Sequence, residues 1–409
     1  MKAMGPIPPG FGTGAGGRLH IGGRDCEELV QEAGGTPLFV YDNNLVGTKI
    51  ARFHAAMPAG VFLHYAVKAN PYQPLLRWLA KHVDGFDIAS AAELEALRSA
   101  TADGLPVSFA GPAKSDRELE LAISAGVTLH VESESEAERA LRIAGRLGIR
   151  PKISVRVNPP FLLKGAGMKM GGLASPFGID HDRAAAVVQG LVEADADWRG
   201  LHIYAGSQCL DAGAIIEAQR ASIALAAEIC GTAGAPPAEV NLGGGFGIPY
   251  FASERELDVE AVGAGLAEAL RDAPEPLATA RFIVELGRWL VGEAGVYLTR
   301  IVERKDSRGR TFLVTDGGLN HMLAASGNFG QLLRRNYPVA IASRFGAAAE
   351  AEASIVGPLC TPLDVLAEEV VLPSAEAGDL VAVFCAGAYG LTASPQAFLG
   401  QAPAREILV

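Results

Sequence analysis

Short apolar, β-branched runs recur along the first two thirds of the chain. They fall at Val61–Ala66, Phe86–Ala89, Val107–Ala110, Thr128–Val131, Ile153–Val157, Leu201–Tyr204, Val240–Leu242 and Phe282–Glu285. Their lengths and bounding turn residues predict strands. Between them lie Ala-, Leu- and Glu-rich stretches such as Ala91–Ala100 and Glu134–Leu147, with apolar residues at helical spacing. A helix at about Asn44–Met57 precedes the first strand. Strands alternating with helices predict an α/β fold, and this set predicts a closed parallel (β/α)8 barrel of TIM type rather than an antiparallel sandwich.

After residue 290 the texture changes. Val296–Val302, Phe312–Val314, Ser354–Val356, Glu369–Leu372 and Leu380–Phe384 read as strands joined by loops, with little helix between them. A second, C-terminal, mostly-β domain is expected, with Pro37–Tyr41 as an early strand partner. The expected boundaries are 44–288 for the barrel, and 1–43 with 289–409 for the β domain. Met1 to Gly23, rich in Gly and Pro, reads as a flexible or extended lead-in.

Length and charge narrow the classes. At 409 residues the chain exceeds what one core usually supports. A net charge of −11 argues against nucleic-acid binding, which needs a basic face. Five scattered cysteines without a CxxC pair indicate neither a disulfide framework nor a zinc site, so no metal is expected. No apolar run reaches the roughly 18 residues of a membrane span, and no signal-peptide core opens the chain. A cytoplasmic protein is expected.

In barrels of this kind chemistry sits at the C-terminal strand ends. Lys68 follows the first predicted strand and Asp87 lies in the second. Glu132 ends the fourth, Arg156 and Asn158 the fifth, Ser207 the sixth, Gly243–Gly245 the seventh and Glu285 the eighth. A lysine there can be desolvated, which frees its amine for imine formation. Glycines after a strand let backbone N–H groups approach a phosphate closely. Glu285 and Arg288 form either a structural ion pair or two separate contacts. Strand alternation puts His202 and Tyr204 on one side.

Seven motifs stand in order: YAVKAN, GFDIAS, HIYAGSQ, NLGGGFG, ELGR, GPLCTPLD and GAYG. Together they resemble the fold-type III decarboxylases that use pyridoxal 5′-phosphate (PLP), the family of diaminopimelate, ornithine and arginine decarboxylases. The resemblance covers about Pro37 to Val409. It implies that Lys68 carries PLP, that Glu285 pairs with the pyridine nitrogen, and that Gly243, Gly244, Gly245, Ser207, Arg288 and Tyr389 hold the phosphate. Asp87, Arg156 and Tyr204 join the implied cofactor set, and His202 the implied catalytic set. Cys360 is the implied proton donor, contributed across a homodimer interface, with Thr361 and Asp364 near the substrate.

Two departures from the family pattern bear on function. Tyr204 stands where most members carry a histidine stacked on the cofactor, with His202 matching the preceding histidine. Thr361 stands where the diamine and diaminopimelate enzymes carry an acid that binds the distal ammonium. A buried ammonium without a carboxylate would be costly. The details resemble a branch acting on aminoacyl groups tethered to a carrier protein, together with decarboxylases of the exosortase A system. The expected substrate is an amino acid or aminoacyl derivative without a free distal amine, such as a carrier-bound glutamyl group, with Arg334 and Arg335 as candidate contacts to an acidic carrier. Diaminopimelate-type decarboxylation and racemisation on the same fold are the alternatives. A carboxylate such as Glu285 disfavours the racemase.

Overall fold

The computed structural model describes residues 2–101, 104–329, 331 and 334–409. The chain divides into two units. One comprises Ile50–Gly247 and Glu256–Gly287; the other gathers Met1–Lys49, Ile248–Arg255 and Arg288–Val409.

The first unit is the predicted barrel. Eight parallel strands run Val61–Ala66, Gly85–Ile88, Val107–Phe109, Thr128–Val131, Lys152–Asn158, Asp197–Ile203, Glu239–Asn241 and Arg281–Leu286, each paired with the next. The last pairs with the first, Glu285 beside His64 and Leu286 beside Tyr65, which closes the cylinder. Local chemistry sets the helices between them. Ser133 accepts a hydrogen bond from the Glu136 N–H and starts Glu134–Leu147, and Gly148, left-handed at φ 65°, ends it. That helix turns Ala137, Ala140, Ile143 and Ala144 inward at helical spacing. Burying Ile143 alone is worth about 1.5–3 kcal/mol.

The barrel interior is not the branched apolar packing that usually fills such folds. Asp87, Ser108, His130, Ser154, Arg156, His202, Asn241 and Glu285 are all buried. In a low-dielectric interior such groups must find partners, and the partners they find define the site.

The second unit is built on the long strand Gly295–Ser307. It pairs antiparallel with Leu38–Tyr41, Leu380–Val383 and Arg310–Thr315. Ala351–Val356 and Val365–Leu372 extend the sheet. Two strands were not anticipated, Val339–Ile341 and Arg405–Leu408. The flexible lead-in is also corrected. Gly12–Thr13, Leu19–Ile21 and Arg24–Asp25 form a small antiparallel sheet, and Leu19 and Ile21 are fully buried in an apolar core with Leu38, Val40, Val296, Leu298 and Phe384. Among the described residues no helix is long and apolar enough to cross a membrane.

Candidate active site

Lys68 sits in a single tight turn, Val67–Ala69, directly after the first barrel strand. Its side chain is 41% exposed and its Nζ lies 3.5 Å from Oδ2 of Asp87, which is fully buried. The second Asp87 oxygen accepts a hydrogen bond from the Ser108 hydroxyl at 3.2 Å. Burial pushes the Asp87 carboxyl up and the charge of Glu285 adds to this, while Lys68 pulls it back.

Glu285 lies across the same lumen. Its Oε1 accepts from the Asn241 amide at 2.5 Å, and its Oε2 is 3.3 Å from Nε2 of His202. Burial alone would raise this carboxyl. Electrostatic attraction to the His202 ring, with His130 and Lys68 behind, outweighs burial and holds it well below the usual range. Two carboxyls in one lumen are thus driven apart: Glu285 stays ionised while Asp87 favours its proton.

The glycine run completes this side. Asn241 Oδ1 accepts from the Gly243 N–H at 2.8 Å, and the Gly243 carbonyl accepts from the Glu285 N–H at 2.8 Å. A Cβ on Gly243 would lie 2.6 Å from the Tyr204 ring, and one on Gly244 would collide with the Glu285 carbonyl. Gly243 and Gly245 also adopt φ of 64° and 88°. Only glycine satisfies both demands. The Tyr204 ring lies parallel to that of His202, centroids 6.4 Å apart. Ser207, on the short strand Gly206–Ser207, faces Met168 of the strand Met168–Lys169.

Arg156 is engaged elsewhere. Its Nη1 is 2.7 Å from Glu132 Oε1, and its guanidinium lies 5.2 Å over the Phe177 ring. Glu132 also accepts from the Gly178 N–H at 3.1 Å. Arg156, expected in the cofactor set, is thus a buried cation whose guanidinium is held by Glu132 and Phe177.

In the second unit, Arg288 is half-buried, donates to the Tyr250 hydroxyl at 2.9 Å, and lies 4.6 Å over the Tyr389 ring. Arg288 was expected as a possible partner of Glu285; its observed bond is to Tyr250. Tyr389 has φ 53°, an uncommon value for a bulky residue. Cys360 is exposed. Asp364, expected near the substrate, spends one oxygen on the Leu319 N–H at 2.7 Å and the other on the Leu359 N–H at 2.8 Å, which makes it a loop tie. The candidate carrier contacts are also engaged. Arg335 lies 3.6 Å over the Phe251 ring and 3.4 Å from Glu254, and Arg334 donates to the Val365 carbonyl.

Sequence reasoning missed Asn241, His130 and Ser108, all bonded into the lumen. The available signal was a polar residue inside an otherwise apolar strand. It also missed Lys114, buried between Glu136 at 2.7 Å and the carbonyls of Gly111 and His130.

A lysine at the barrel mouth, an ionised carboxylate in the lumen and a glycine cradle without room for Cβ atoms fit PLP: an amine for the aldehyde, an anion for a protonated ring nitrogen, backbone donors for a phosphate. The fold and this donor set define a PLP-dependent barrel enzyme. The family model for the pyridoxal-binding domain of the pyridoxal-dependent decarboxylases matches residues 44–292, and the chain belongs to that family. It is 33% identical to an L-glutamyl-[BtrI acyl-carrier protein] decarboxylase of Niallia circulans, over 91% of this chain and 88% of the relative. It is also 33% identical to a diaminopimelate decarboxylase of Archaeoglobus fulgidus, over 96% of this chain and 92% of that one. A diaminopimelate decarboxylase from M. jannaschii, solved with L-lysine, superposes with a TM-score of 0.88 at 25% identity, covering 98% of this chain and 92% of that one. The protein is accordingly a PLP-dependent carboxy-lyase.

Proposed function

We propose that Lys68 carries PLP and that the protein removes the α-carboxylate of an amino acid held beside it. The observation that carries this reading is the placement of Lys68 3.5 Å from Asp87 in a lumen that also holds Glu285. Bound PLP supplies a ring that accepts the electrons left at Cα when CO2 departs. Glu285 keeps the ring nitrogen protonated. Asp87 pairs with the Lys68 amine and fixes its direction. Gly243, Gly244, Gly245 and Ser207 bind the phosphate, a task the family pattern also gives to Arg288 and Tyr389. Tyr204 packs on the ring face, with His202 behind it. Cys360 donates a proton to Cα from a second copy of the chain. Arg156 acts through Glu132, as a positioning residue.

Two substrate readings follow, each with its own support. Diaminopimelate decarboxylases predominate among the relatives, and the comparisons favour that substrate. Thr361 beside Cys360 favours the second, an aminoacyl group such as glutamyl on a carrier protein, because it offers no charge to a distal ammonium. The relative from Niallia circulans is named for that chemistry.

Two experiments test this. Borohydride reduction of the holoenzyme followed by peptide mapping is expected to place the cofactor on Lys68; a label on another lysine would overturn the assignment. CO2 release from meso-diaminopimelate, free glutamate and carrier-bound glutamate then ranks the substrates. Faster turnover of diaminopimelate decides for the first reading, and turnover of the carrier-bound form alone decides for the second.

A further inference from the structure

His130 and His202 lie on the fourth and sixth barrel strands, with the fifth between them. They meet across the lumen, Nδ1 to Nδ1 at 2.9 Å, both rings buried. From His202 the line continues through Nε2 to Glu285 Oε2 at 3.3 Å. In the other direction His130 lines a cavity of about 490 Å³. Val107, Thr128, Lys152, Glu239 and Arg281, which also line it, are the first residues of their strands, so the cavity opens at the N-terminal mouth of the barrel. This is the end opposite Lys68. Its rim is charged and accessible: Arg281 is 47% and Arg199 25% exposed. A polar cavity of this size holds water.

We propose that Glu285, His202 and His130 form a proton relay opening on this N-terminal cavity, so that the carboxylate serving the cofactor exchanges protons with water at the far end of the barrel. One set of tautomers suits this arrangement. His202 carries its proton on Nε2, 3.3 Å from ionised Glu285 and short of hydrogen-bond alignment until the ring turns, and accepts at Nδ1, where His130 donates its Nδ1–H, leaving His130 Nε2 as the acceptor on the cavity side. A proton taken up at His130 Nε2 moves the Nδ1 proton to His202 and the Nε2 proton to Glu285. One proton enters, one arrives, and no bond other than N–H and O–H changes. His130 is thus a positioning residue that fixes the tautomer of His202. The surroundings favour the neutral form of His130: burial lowers its imidazole, as do His202, Lys114 and Arg156, while Glu285 opposes them. Asn241 and Ser108 also line the cavity, so its inner wall is made of the residues that bond Glu285 and Asp87.

His130, His202 and Glu285 also form a cluster compact enough for a metal, their ligand atoms within 4.8 Å of one another. The direct imidazole–imidazole bond favours the relay, since the Nδ1 proton that joins the two rings leaves that nitrogen no lone pair for a metal. The proposal rests on the assignment of Glu285 to the cofactor, but its first test does not.

Nitrogen NMR of the ¹⁵N-histidine-labelled holoenzyme should show His202 protonated at Nε2 and unprotonated at Nδ1, with His130 protonated at Nδ1. A His202 proton on Nδ1, or a stoichiometric metal in the purified protein, would overturn the relay. The second test follows the cofactor's visible absorbance against pH. H130F should move the pH at which the spectrum changes by about one unit, a tenfold change in the proton equilibrium, and H130N, which restores a donor near the Nδ1 position, should return it. An unchanged spectral profile in folded H130F would also overturn the proposal. Neither readout involves a substrate, so both stand or fall apart from the substrate assignment. If borohydride mapping misses Lys68 while the tautomers hold, the cofactor reading fails and the histidine relay survives.

Discussion

The two units differ in what fills their centres. The β unit packs Leu19, Ile21, Leu38, Val40, Val296, Leu298 and Phe384 into an apolar cluster, with its buried carboxylates, such as Asp42 and Asp364, outside it. The barrel lumen buries Asp87, His130, Arg156, His202 and Glu285. Apolar burial is non-directional and scales with area, so the β core supplies stability and asks only for volume to be filled. A buried charge is unfavourable unless a partner meets it at a set distance. The lumen therefore contributes geometry and protonation states rather than net stability.

Substitution should separate these roles. The largest effect is expected at Lys68→Ala: decarboxylation falls by at least ~10²-fold, the scale of losing a positioned proton-transfer group, while the melting temperature of the cofactor-free protein stays close to wild type. Steady-state kinetics and calorimetry on one preparation check both halves, and a collapse of the fold would break the contrast. Phe384→Ala should do the reverse. The ring is fully buried, 5.1 Å from Phe11 and 6.1 Å from Phe345, and its loss costs about 3–5 kcal/mol in denaturant unfolding.

His64 sharpens the comparison through pH. It is buried in the lumen with Nδ1 unpartnered, and burial lowers its pKa to about 4. The unfolded imidazole takes a proton below about 6.5, so between about 6.5 and 4 the unfolded chain binds more protons. Stability is then fully present above that window and lost as pH falls through it, by about 3 kcal/mol. H64L should match wild type near neutrality and surpass it by about that amount at pH 4. Parallel pH curves for the two proteins would refute this account. The smallest effect belongs outside both interiors: Ser133→Ala removes a helix cap, worth about 1 kcal/mol in chemical denaturation.

The same contrast explains what was legible in the sequence. Parallel strands buried on both faces read as unbroken apolar runs, so Val61–Ala66 and Thr128–Val131 stand at their predicted positions. The paired edges of the β unit were harder. Val339–Ile341 has three residues and Arg405–Leu408 begins with a charge, and neither carries a period of its own. Leu19 and Ile21 are core residues inside a Gly- and Pro-rich stretch, where local composition argued for a loop. Within the site, Lys68 and Glu285 were visible because each marks the end of an apolar strand, and Asp87 because it interrupts one. His130 was not: in Thr-Leu-His-Val it reads as a filler of the core, and its partner lies 72 residues on.

By itself the sequence determined the alternation of strand and helix, the barrel that alternation requires, and the residues gathered at one set of strand ends. These are local properties, set by side-chain period, capping and turn chemistry within a few neighbouring residues. Only the tertiary structure decided which charges meet. That Arg156 is engaged by Glu132, that Asp364 ties a loop, and that Glu285 reaches His130 through His202 all depend on distances of about 3 Å between residues remote in sequence. Electrostatic partnership is set by separation in space and by the low dielectric of a closed lumen, and no pattern along the chain encodes either.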